Sequence, residues 1–281
     1  MEIVKTIEEV RTTVKKWKIE GKSVGFVPTM GYLHQGHQSL IKRACQENEK
    51  VVVSIFVNPT QFGPNEDFSS YPRDLDRDSE VCSIAGADLI FHPETEEMYD
   101  SFACTYVNVD GLTDKLCGKS RPTHFRGVCT VVSKMFLIVN PDRAYFGQKD
   151  AQQLAVIKRM VRDLNFDIEI VGCPIIREED GLAKSSRNTY LSVEEREAAT
   201  VLNRALTQGR VLISEGEKSV DKVKNLIQRV IEAEPLARID YIEVVDFETI
   251  EPISLLEGTV LVAVASYIGK TRLIDNFILK I

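Results

Sequence analysis

Residues 51–58, VVVSIFVN, are the segment that most constrains the fold. They are nearly all apolar and β-branched, without the alternation of a strand that has one face in water, so we expect a strand covered on both faces. Strand-like apolar runs also occur at 23–27, 87–93, 143–150 and 168–178, and segments with helical spacing separate several of them. This alternation favours a parallel sheet with right-handed crossovers.

The first part of the chain therefore predicts an α/β fold, with a Rossmann-like, doubly wound parallel sheet. Residues 6–20 and 151–165 show helical spacing of their apolar positions. A further helix is expected from Val128 to Ile138, after a loop formed by PTHFRG (122–127). We also expect a short strand at residues 105–109.

The character of the chain changes after residue 178. A polar stretch, EEDGLAKSSRNTY, has no regular period, and two helices are expected to follow it. Three strand-like runs come last, and Gly269-Lys270 between the final two fits a two-residue hairpin turn. Helices followed by antiparallel strands indicate a smaller α+β domain. We therefore expect one domain at 1–176 and a C-terminal lid domain at 177–281 that carries the sequence KSSR.

Charge and composition exclude several classes of partner. With a net charge of −7, the 281-residue chain lacks the basic character of a nonspecific nucleic-acid or anionic-membrane surface, although a local basic pocket is compatible with it. No apolar run reaches the length of a membrane span, and MEIVKTIEEV lacks a signal pattern, so we expect a cytoplasmic protein. Six cysteines without a C-x-x-C pair fit buried thiols in a reducing compartment.

The stretch PTMGYLHQGHQSL (28–40) carries the clearest chemical signal. It runs from a predicted strand through glycines into a predicted helix, with His34 and His37 between them. A helix N-terminus of this kind offers backbone N–H groups and a positive dipole end to a phosphate. Two imidazoles beside it can donate hydrogen bonds as charge develops. Taken alone, such a pair is more often a satisfied surface feature, and a metal site would need a third ligand that no obvious spacing supplies.

Two further segments are expected to meet the same phosphate. KSSR (184–187) lies in the irregular stretch after the last sheet strand, where Lys184 and Arg187 would neutralise triphosphate charge and the serines would add hydroxyl donors. FGQKD (146–150) joins a strand to a helix, where open α/β sheets bind ligands. By itself KSSR also fits a solvated linker, and Lys149 also fits an ordinary surface lysine.

Other polar residues have less specific interpretations. Asp74, Asp76 and Asp78 suggest a metal site, but carboxylates spaced two apart on a helix do not share a face. We therefore expect them on a solvated surface. His92 ends a predicted strand and is interpreted as structural, and His124 is expected in a loop that covers the site.

Taken together, these motifs resemble the HIGH-type nucleotidyltransferases, and the whole chain resembles the pantothenate synthetase (pantoate–β-alanine ligase) family. The matches extend from residue 28 to residue 276 and comprise PTMGYLHQGH, SIFVNPTQF, YPRDLDRD, RPTHFRGVCTVV, FGQKDAQQL, PIIREEDGLAKSSRN and TRLIDN. The resemblance implies that pantoate attacks the α-phosphorus of ATP, giving pantoyl adenylate and pyrophosphate. The amine of β-alanine then attacks the acyl carbonyl, releasing AMP and pantothenate. It also implies Mg²⁺ bound through the phosphates and a homodimer.

The resemblance implies roles for individual residues. Catalysis is expected from His37, as the acid that assists the phosphates, with His34, Lys149, Ser185 and Ser186. ATP would be bound by Met30, Gly31, His34, His37, Gly147, Gln148, Lys149, Asp150, Ile176, Lys184, Ser185, Ser186 and Arg187. Pantoate would be bound by the amides of Gln61 and Gln153 and by an apolar wall of Val131 and Val132. The chain departs from the family pattern at Gln35 and Gln148, which replace Glu, and at Lys184, which replaces Met.

Three other functions fit parts of the pattern. A nucleotidyltransferase that acts on a phosphate acceptor would require an Arg- or Lys-rich acceptor pocket, and the glutamine pair disfavours it. A tRNA-charging enzyme is disfavoured by the acidic charge and by the lack of room for an anticodon-binding domain. A non-catalytic nucleotide sensor would be expected to lose His37 or the KSSR segment, and this sequence keeps both.

Overall fold

A computed structural model describes residues 1–64 and 66–281 of the chain. Its first sheet contains β1 (Glu2–Val4), β2 (Val24–Thr29), β3 (Lys50–Ile55), β4 (Leu89–Phe91), β5 (Arg143–Gly147) and β6 (Glu169–Cys173). Within the described residues the strand order is β1-β4-β3-β2-β5-β6, and all neighbouring strands are parallel. The prediction of a Rossmann-like parallel sheet is confirmed.

Seven helices of the described chain accompany this sheet. They are α1 (Ile7–Ile19), α2 (Gln35–Glu47), α3 (Leu75–Ala85), α4 (Thr95–Met98), α5 (Cys117–Ser120), α6 (His124–Val139) and α7 (Ala151–Asp163). Local sequence explains where they begin and end. At the start of α1, the Glu9 N–H donates to the Thr6 hydroxyl and the Thr6 N–H donates to the Glu9 carboxylate, which satisfies two donors that the helix leaves free. Gly86, in the left-handed conformation, ends α3.

Helices pack on both faces of the parallel sheet, as predicted. Alternate residues of β2 and β3, such as Phe26 and Val52, pack in a cluster with α1, α6 and α7. The residues between them, such as Val27 and Val53, pack on the opposite face with α2 and α3. Because both faces are buried, the strands carry apolar residues at successive positions rather than at every second one.

The C-terminal unit is a small antiparallel sheet covered by helices. It contains α8 (Val193–Ala198), α9 (Val201–Ser214), α10 (Val220–Glu232), β7 (Ala237–Asp246), β8 (Thr259–Ile268) and β9 (Thr271–Lys280). The strands pair in the order β7-β8-β9, and Gly269-Lys270 forms the predicted hairpin turn between β8 and β9. The boundary at residue 176 stays a prediction. None of the described helices has the length and apolar character needed to span a membrane.

Some details of the sequence prediction are wrong. Residues 105–109 are not a strand, because no neighbouring strand among the described residues pairs with their backbone. The helix predicted from Val128 begins earlier, at His124, so the last four residues of the predicted PTHFRG loop are helical. The first of the two helices predicted after the polar stretch, from Ser192 to about Ser214, is divided into α8 and α9. At that break the Thr200 N–H donates to the Glu197 carbonyl, three residues back, which tightens the turn.

The topology places the carboxyl ends of β2 and β5 side by side. From β2 the chain builds outwards through β3 and β4, and it then returns across the sheet to form β5 on the other side of β2. The strand order therefore reverses between β2 and β5, and ligands bind at such a point in open α/β sheets. The segment 30–37 follows β2, and the segment 148–150 follows β5.

The buried sheet yields a stability prediction. Ile90 in β4 is fully buried, whereas Ile19 at the end of α1 is 78% exposed. Ile90→Ala should lower the free energy of unfolding by about 2–5 kcal/mol, because it leaves a cavity between packed side chains. Ile19→Ala is the matched control and should change it by less than about 0.5 kcal/mol. Urea denaturation followed by circular dichroism measures both, and equal effects would contradict the burial of β4.

Candidate functional site

A cavity of about 250 Å³ lies at the carboxyl ends of β2 and β5. Fifteen of the seventeen predicted site residues line it: Met30, His34, His37, Gln61, Val131, Val132, Gly147, Lys149, Asp150, Gln153, Ile176, Lys184, Ser185, Ser186 and Arg187. The histidine segment, the loop after β5 and the KSSR segment therefore meet at one place. Their individual roles stay predictions.

Gly31 and Gln148 are the two predicted residues that the described structure leaves outside the cavity lining. Gly31 has a φ of +82° and lies against Asp78, where an added Cβ would come within 2.9 Å of a carboxylate oxygen. The Gln148 carbonyl accepts a hydrogen bond from the amide of Asn276 in β9. Both residues thus shape the backbone beside the cavity, and direct contact with ATP stays a prediction for them.

The prediction of a solvated surface is wrong for Asp78. Its carboxylate is 1% exposed and accepts hydrogen bonds from the backbone N–H groups of Tyr32 and Leu33. Burial raises the pKa of Asp78, and the two N–H groups oppose that rise. Asp74 caps α3 through the Arg77 N–H, and Asp76 is exposed as predicted.

The two imidazoles lie against each other with ring centroids 4.1 Å apart. His34 precedes α2, and its Nδ1 accepts from the Gly36 N–H at 3.1 Å. The Nδ1 of His37 accepts from the His34 N–H at 3.3 Å. A neutral imidazole that accepts at Nδ1 carries its proton on Nε2. Both rings therefore present an Nε2–H donor.

Both histidines have lowered pKa values, so neither ring readily takes up a second proton. Burial lowers the pKa of His34 to about 2, and the neighbouring His37 and Lys149 add to that effect. Burial, with the charge of Lys149, lowers the pKa of His37 to about 4. At neutral pH the site therefore offers two neutral N–H donors rather than two imidazolium ions.

The loop after β5 is held by the C-terminal unit. Asn276 in β9 donates from its side-chain amide to the carbonyls of Gln148 and Lys149, at 3.0 and 2.8 Å. The Lys149 ammonium lies 3.7 Å from the Asp150 carboxylate, and both side chains line the cavity. Asn276 was not predicted as a functional residue. The matching motif TRLIDN was the available signal for it, but no residue type within that motif indicated a contact with the loop.

Backbone contacts bring the KSSR segment to the end of the sheet. The Lys184 N–H donates to the Ile176 carbonyl at 2.9 Å, and residues 177 and 183 form an isolated antiparallel bridge. The Ser185 hydroxyl accepts from the Arg187 N–H and begins a short 3₁₀ helix. This pairing between residues 176–177 and residues 183–184 fixes the KSSR segment beside β6 and the cavity.

The cations of KSSR already have carboxylate partners. The Lys184 ammonium lies 2.7 Å from Glu178, and the Arg187 guanidinium donates to Asp67 at 3.1 and 3.2 Å. The Asp67 partner comes from the loop between β3 and α3. A triphosphate would therefore have to compete with these carboxylates for the two cations, which the sequence did not indicate.

The predicted pantoate-binding residues share one side of the cavity. Gln61 is 8% exposed, and its carbonyl oxygen Oε1 accepts from Asn58 at 3.1 Å while its Nε2 contacts the sulfur of Met30 at 2.9 Å. Val131 and Val132 on α6 face the same space. Asn58 was not predicted; it is buried and orients the Gln61 amide.

The remaining histidines lie where their hydrogen bonds suggest a structural role. His124 lines the cavity, but it begins α6 rather than a covering loop, and its Nδ1 lies 3.0 Å from the Gln61 carbonyl. Burial and the charge of Arg121 lower its pKa to about 4. The Nδ1 of His92 lies 2.7 Å from the Ile55 carbonyl, in agreement with the structural interpretation.

A second cavity of about 760 Å³ adjoins the first. Lys149, Asp150, Gln153, Ser185 and Arg187 line both spaces. Its far wall comes from the C-terminal sheet, including side chains of β7 and β9. The two cavities thus form one wide cleft between the two sheets, and Lys149 lies where they meet.

No group of three His, Cys, Asp or Glu side chains in the described part of the chain could hold a metal ion.

Comparison with known proteins agrees with this geometry. A family model described as pantoate-beta-alanine ligase matches residues 2–278. The chain is 64% identical over 277 residues to a pantothenate synthetase of Enterococcus faecalis, covering 99% of this chain and 98% of the relative. It is 60% identical over 281 residues to a pantothenate synthetase of Clostridium botulinum, covering all of both chains.

Solved structures give the same result. The pantothenate synthetase of Thermus thermophilus superimposes with a TM-score of 0.94 at 49% identity, covering 99% of both chains. The pantoate-beta-alanine ligase of Francisella tularensis, complexed with beta-gamma ATP and beta-alanine, gives a TM-score of 0.79 at 36% identity, covering 99% of this chain and 97% of the other. The chain belongs to the pantoate–β-alanine ligase family.

Proposed function

We propose that this chain condenses pantoate with β-alanine at the cavity described above, using ATP and passing through pantoyl adenylate. The observation that carries the proposal is the meeting of the histidine segment, the loop after β5 and the KSSR segment around one space. In the first half-reaction a pantoate carboxylate oxygen bonds to the α-phosphorus of ATP. The bond from that phosphorus to the bridging oxygen breaks, and pyrophosphate leaves with the electron pair.

The two histidines stabilise the leaving phosphates as neutral donors. Their Nε2–H groups are fixed in orientation by the Nδ1 contacts of His34 and His37 with backbone N–H groups. Donors held in place before the reaction stabilise developing charge without having to reorganise. This role differs from that of an imidazolium acid, because the lowered pKa values keep both rings neutral at pH 7.

Cationic and hydroxyl groups neutralise the rest of the triphosphate. Lys149 bridges the phosphates, and Ser185 and Ser186 donate from their hydroxyls. Lys184 and Arg187 join them by exchanging the carboxylates of Glu178 and Asp67 for phosphate oxygens. The half-exposed Asp150 carboxylate would offer an oxygen ligand to a Mg²⁺ ion that enters with ATP, and the ion would supply further neutralisation of charge.

Pantoate lies between amides and an apolar wall. The amide of Gln61, oriented by Asn58, and that of Gln153 hydrogen-bond the substrate, while Val131 and Val132 contact its gem-dimethyl group. Neutral amides leave the carboxylate nucleophilic, whereas a cation paired with it would reduce its reactivity. Positioning of both substrates can account for much of the rate, since well-oriented intramolecular reactions reach effective molarities of about 10⁵–10⁸ M.

In the second half-reaction the β-alanine amine bonds to the acyl carbon of pantoyl adenylate. The bond from that carbon to the phosphate oxygen breaks, AMP leaves with the electron pair, and the amine loses a proton. β-Alanine reaches the intermediate through the larger cavity, which adjoins the site at Lys149 and Gln153. A β-alanine complex of the related Francisella tularensis enzyme supports binding of this substrate to the fold.

We infer a homodimer, a division into domains at residue 176 and a cytoplasmic location as well. Residues 106–109 alternate between exposed side chains, such as Tyr106, and half-buried ones, such as Val107. The Val107 N–H donates to Thr130, but the segment has no strand neighbour in the described chain. An unpaired extended segment can pair, strand to strand, with the same segment of a second copy.

The six free cysteines support a reducing compartment.

The function is tested by separating the half-reactions. ATP with pantoate alone should release pyrophosphate, and AMP should appear only after β-alanine is added. His37→Ala should fold but slow pyrophosphate release by about 10²–10³-fold, the usual effect of removing one such donor. His92→Ala is the control, because His92 lies outside both cavities, and it should keep the wild-type rate. Turnover of a phosphorylated acceptor in place of pantoate would contradict the ligase function.

The pH dependence distinguishes a neutral donor from an acid. The pKa of His37 is about 4, so its donor is present throughout pH 6–8. The ratio of kcat/KM for ATP between wild type and His37→Ala should therefore stay constant over this range, because titration of the substrates cancels in the ratio. An imidazolium acid with a pKa near 6.5 would make that ratio fall towards one as the pH rises.

A charged substitution in the proposed interface tests the homodimer. The wild-type chain should have the molar mass of a dimer in size-exclusion chromatography with light scattering. Tyr106→Glu places a charge in the segment that pairs and should yield a monomer with an unchanged circular dichroism spectrum. Val193→Glu adds the same charge at a side chain that is 78% exposed on α8, and it should remain dimeric. A monomeric wild type would contradict the proposal.

A further inference from the structure

We propose that Asp78 is a positioning residue for the two histidines: its carboxylate holds the turn between β2 and α2 in the shape that aims both imidazoles into the cavity. This inference rests on the proposed function of His34 and His37 as donors to the phosphates. Asp78 itself does not line either cavity in the described structure, so it acts through the backbone and not by contact with substrate.

The turn held by Asp78 has an unusual backbone. Gly31 and Tyr32 are consecutive residues in the left-handed region, with φ of +82° and +49°. Glycine adopts this conformation readily, but tyrosine does not, because its Cβ crowds the following carbonyl. Successive backbone N–H groups in such a turn point towards a common centre and form a concavity that binds anions. Here the anion is part of the same chain.

The Asp78 carboxylate occupies that concavity with one oxygen for each N–H. Its Oδ2 accepts from Tyr32 at 2.8 Å, and its Oδ1 accepts from Leu33 at 2.6 Å. Bonds to an ionised acceptor are stronger than bonds between neutral groups. Arg77, the preceding residue on α3, is exposed and lies 4.5 Å above the ring of Tyr32.

The position of this turn determines the position of both imidazoles. Leu33, which is fully buried, immediately precedes His34. The His34 N–H in turn donates to Nδ1 of His37, so a shift of the backbone at Leu33 moves both rings. Misplacement of a catalytic group by about 1 Å can cost about 100-fold in rate. The loss of Asp78 should therefore appear in the chemistry of the first half-reaction.

Asp78→Asn tests the charge with almost no change in shape. An asparagine offers one acceptor, and its NH₂ would face the second backbone N–H, so one of the two bonds is lost. We expect kcat for pyrophosphate release to fall by about 10- to 100-fold, with KM for pantoate unchanged. Asp76→Asn makes the same change of charge two residues away on the exposed face of α3 and should leave kcat as in the wild type.

Two further variants test the turn itself. Gly31→Ala would put a Cβ 2.9 Å from Oδ2 of Asp78 and should lower kcat as Asp78→Asn does, whether or not Asp78→Asn folds. Tyr32→Asn places a residue that tolerates the left-handed region at the strained position, and it should restore part of the rate when combined with Asp78→Asn.

The outcomes separate this inference from the proposed function. Synthetic pantoyl adenylate, supplied to Asp78→Asn with β-alanine, should be converted to pantothenate at the wild-type rate, since the histidines act on the first half-reaction. Wild-type kcat in Asp78→Asn or in Gly31→Ala, or no recovery in the double variant, would overturn the role of Asp78. Failure of the wild-type chain to release pyrophosphate would instead overturn the proposed function.

Discussion

The site depends on the parallel pairing of β2 with β3 on one side and with β5 on the other. This pairing brings the end of β2, with its histidine segment, next to the end of β5, with Lys149. The order of the strands therefore determines the chemistry of the cavity, because it places two imidazoles and a lysine at one edge of the sheet.

Residues of the C-terminal unit hydrogen-bond the segments that follow β5 and β6 at this edge of the parallel sheet. Asn276 holds two carbonyls of the loop after β5, and Arg177, just after β6, forms a bidentate pair with the buried Asp275 of β9. The neighbouring residues of β9 thus fix both the loop that carries Lys149 and the base of the KSSR segment. The motif TRLIDN is explained by these contacts, since a shift of β9 would move both segments at once.

Much of the fold and the composition of the cavity could be predicted from the sequence, because apolar runs, glycine turns and motif resemblance are local signals. The burial of Asp78 could not, since the pattern on its own helix placed it with two exposed carboxylates. It is buried only because the turn at Tyr32 packs against α3. The ion pair between Arg187 and Asp67 joins residues 120 positions apart, and nothing in either local sequence indicated it. Residues 105–109 have the pattern of a strand, but a strand forms only where a neighbour pairs with it.

The carboxylates of Glu178 and Asp67 neutralise two cations of the site before ATP binds. Lys184 and Arg187 are buried for much of their length, and an unpaired cation in such a place would be costly. Glu178 and Asp67 neutralise them, and in the proposed function the phosphate oxygens of ATP would replace these carboxylates. Asp67 belongs to the loop before α3, so this exchange would free that loop and the KSSR segment together. In the proposed function, binding of ATP would therefore break the ion pair that joins this loop to the KSSR segment in the same step that neutralises the triphosphate.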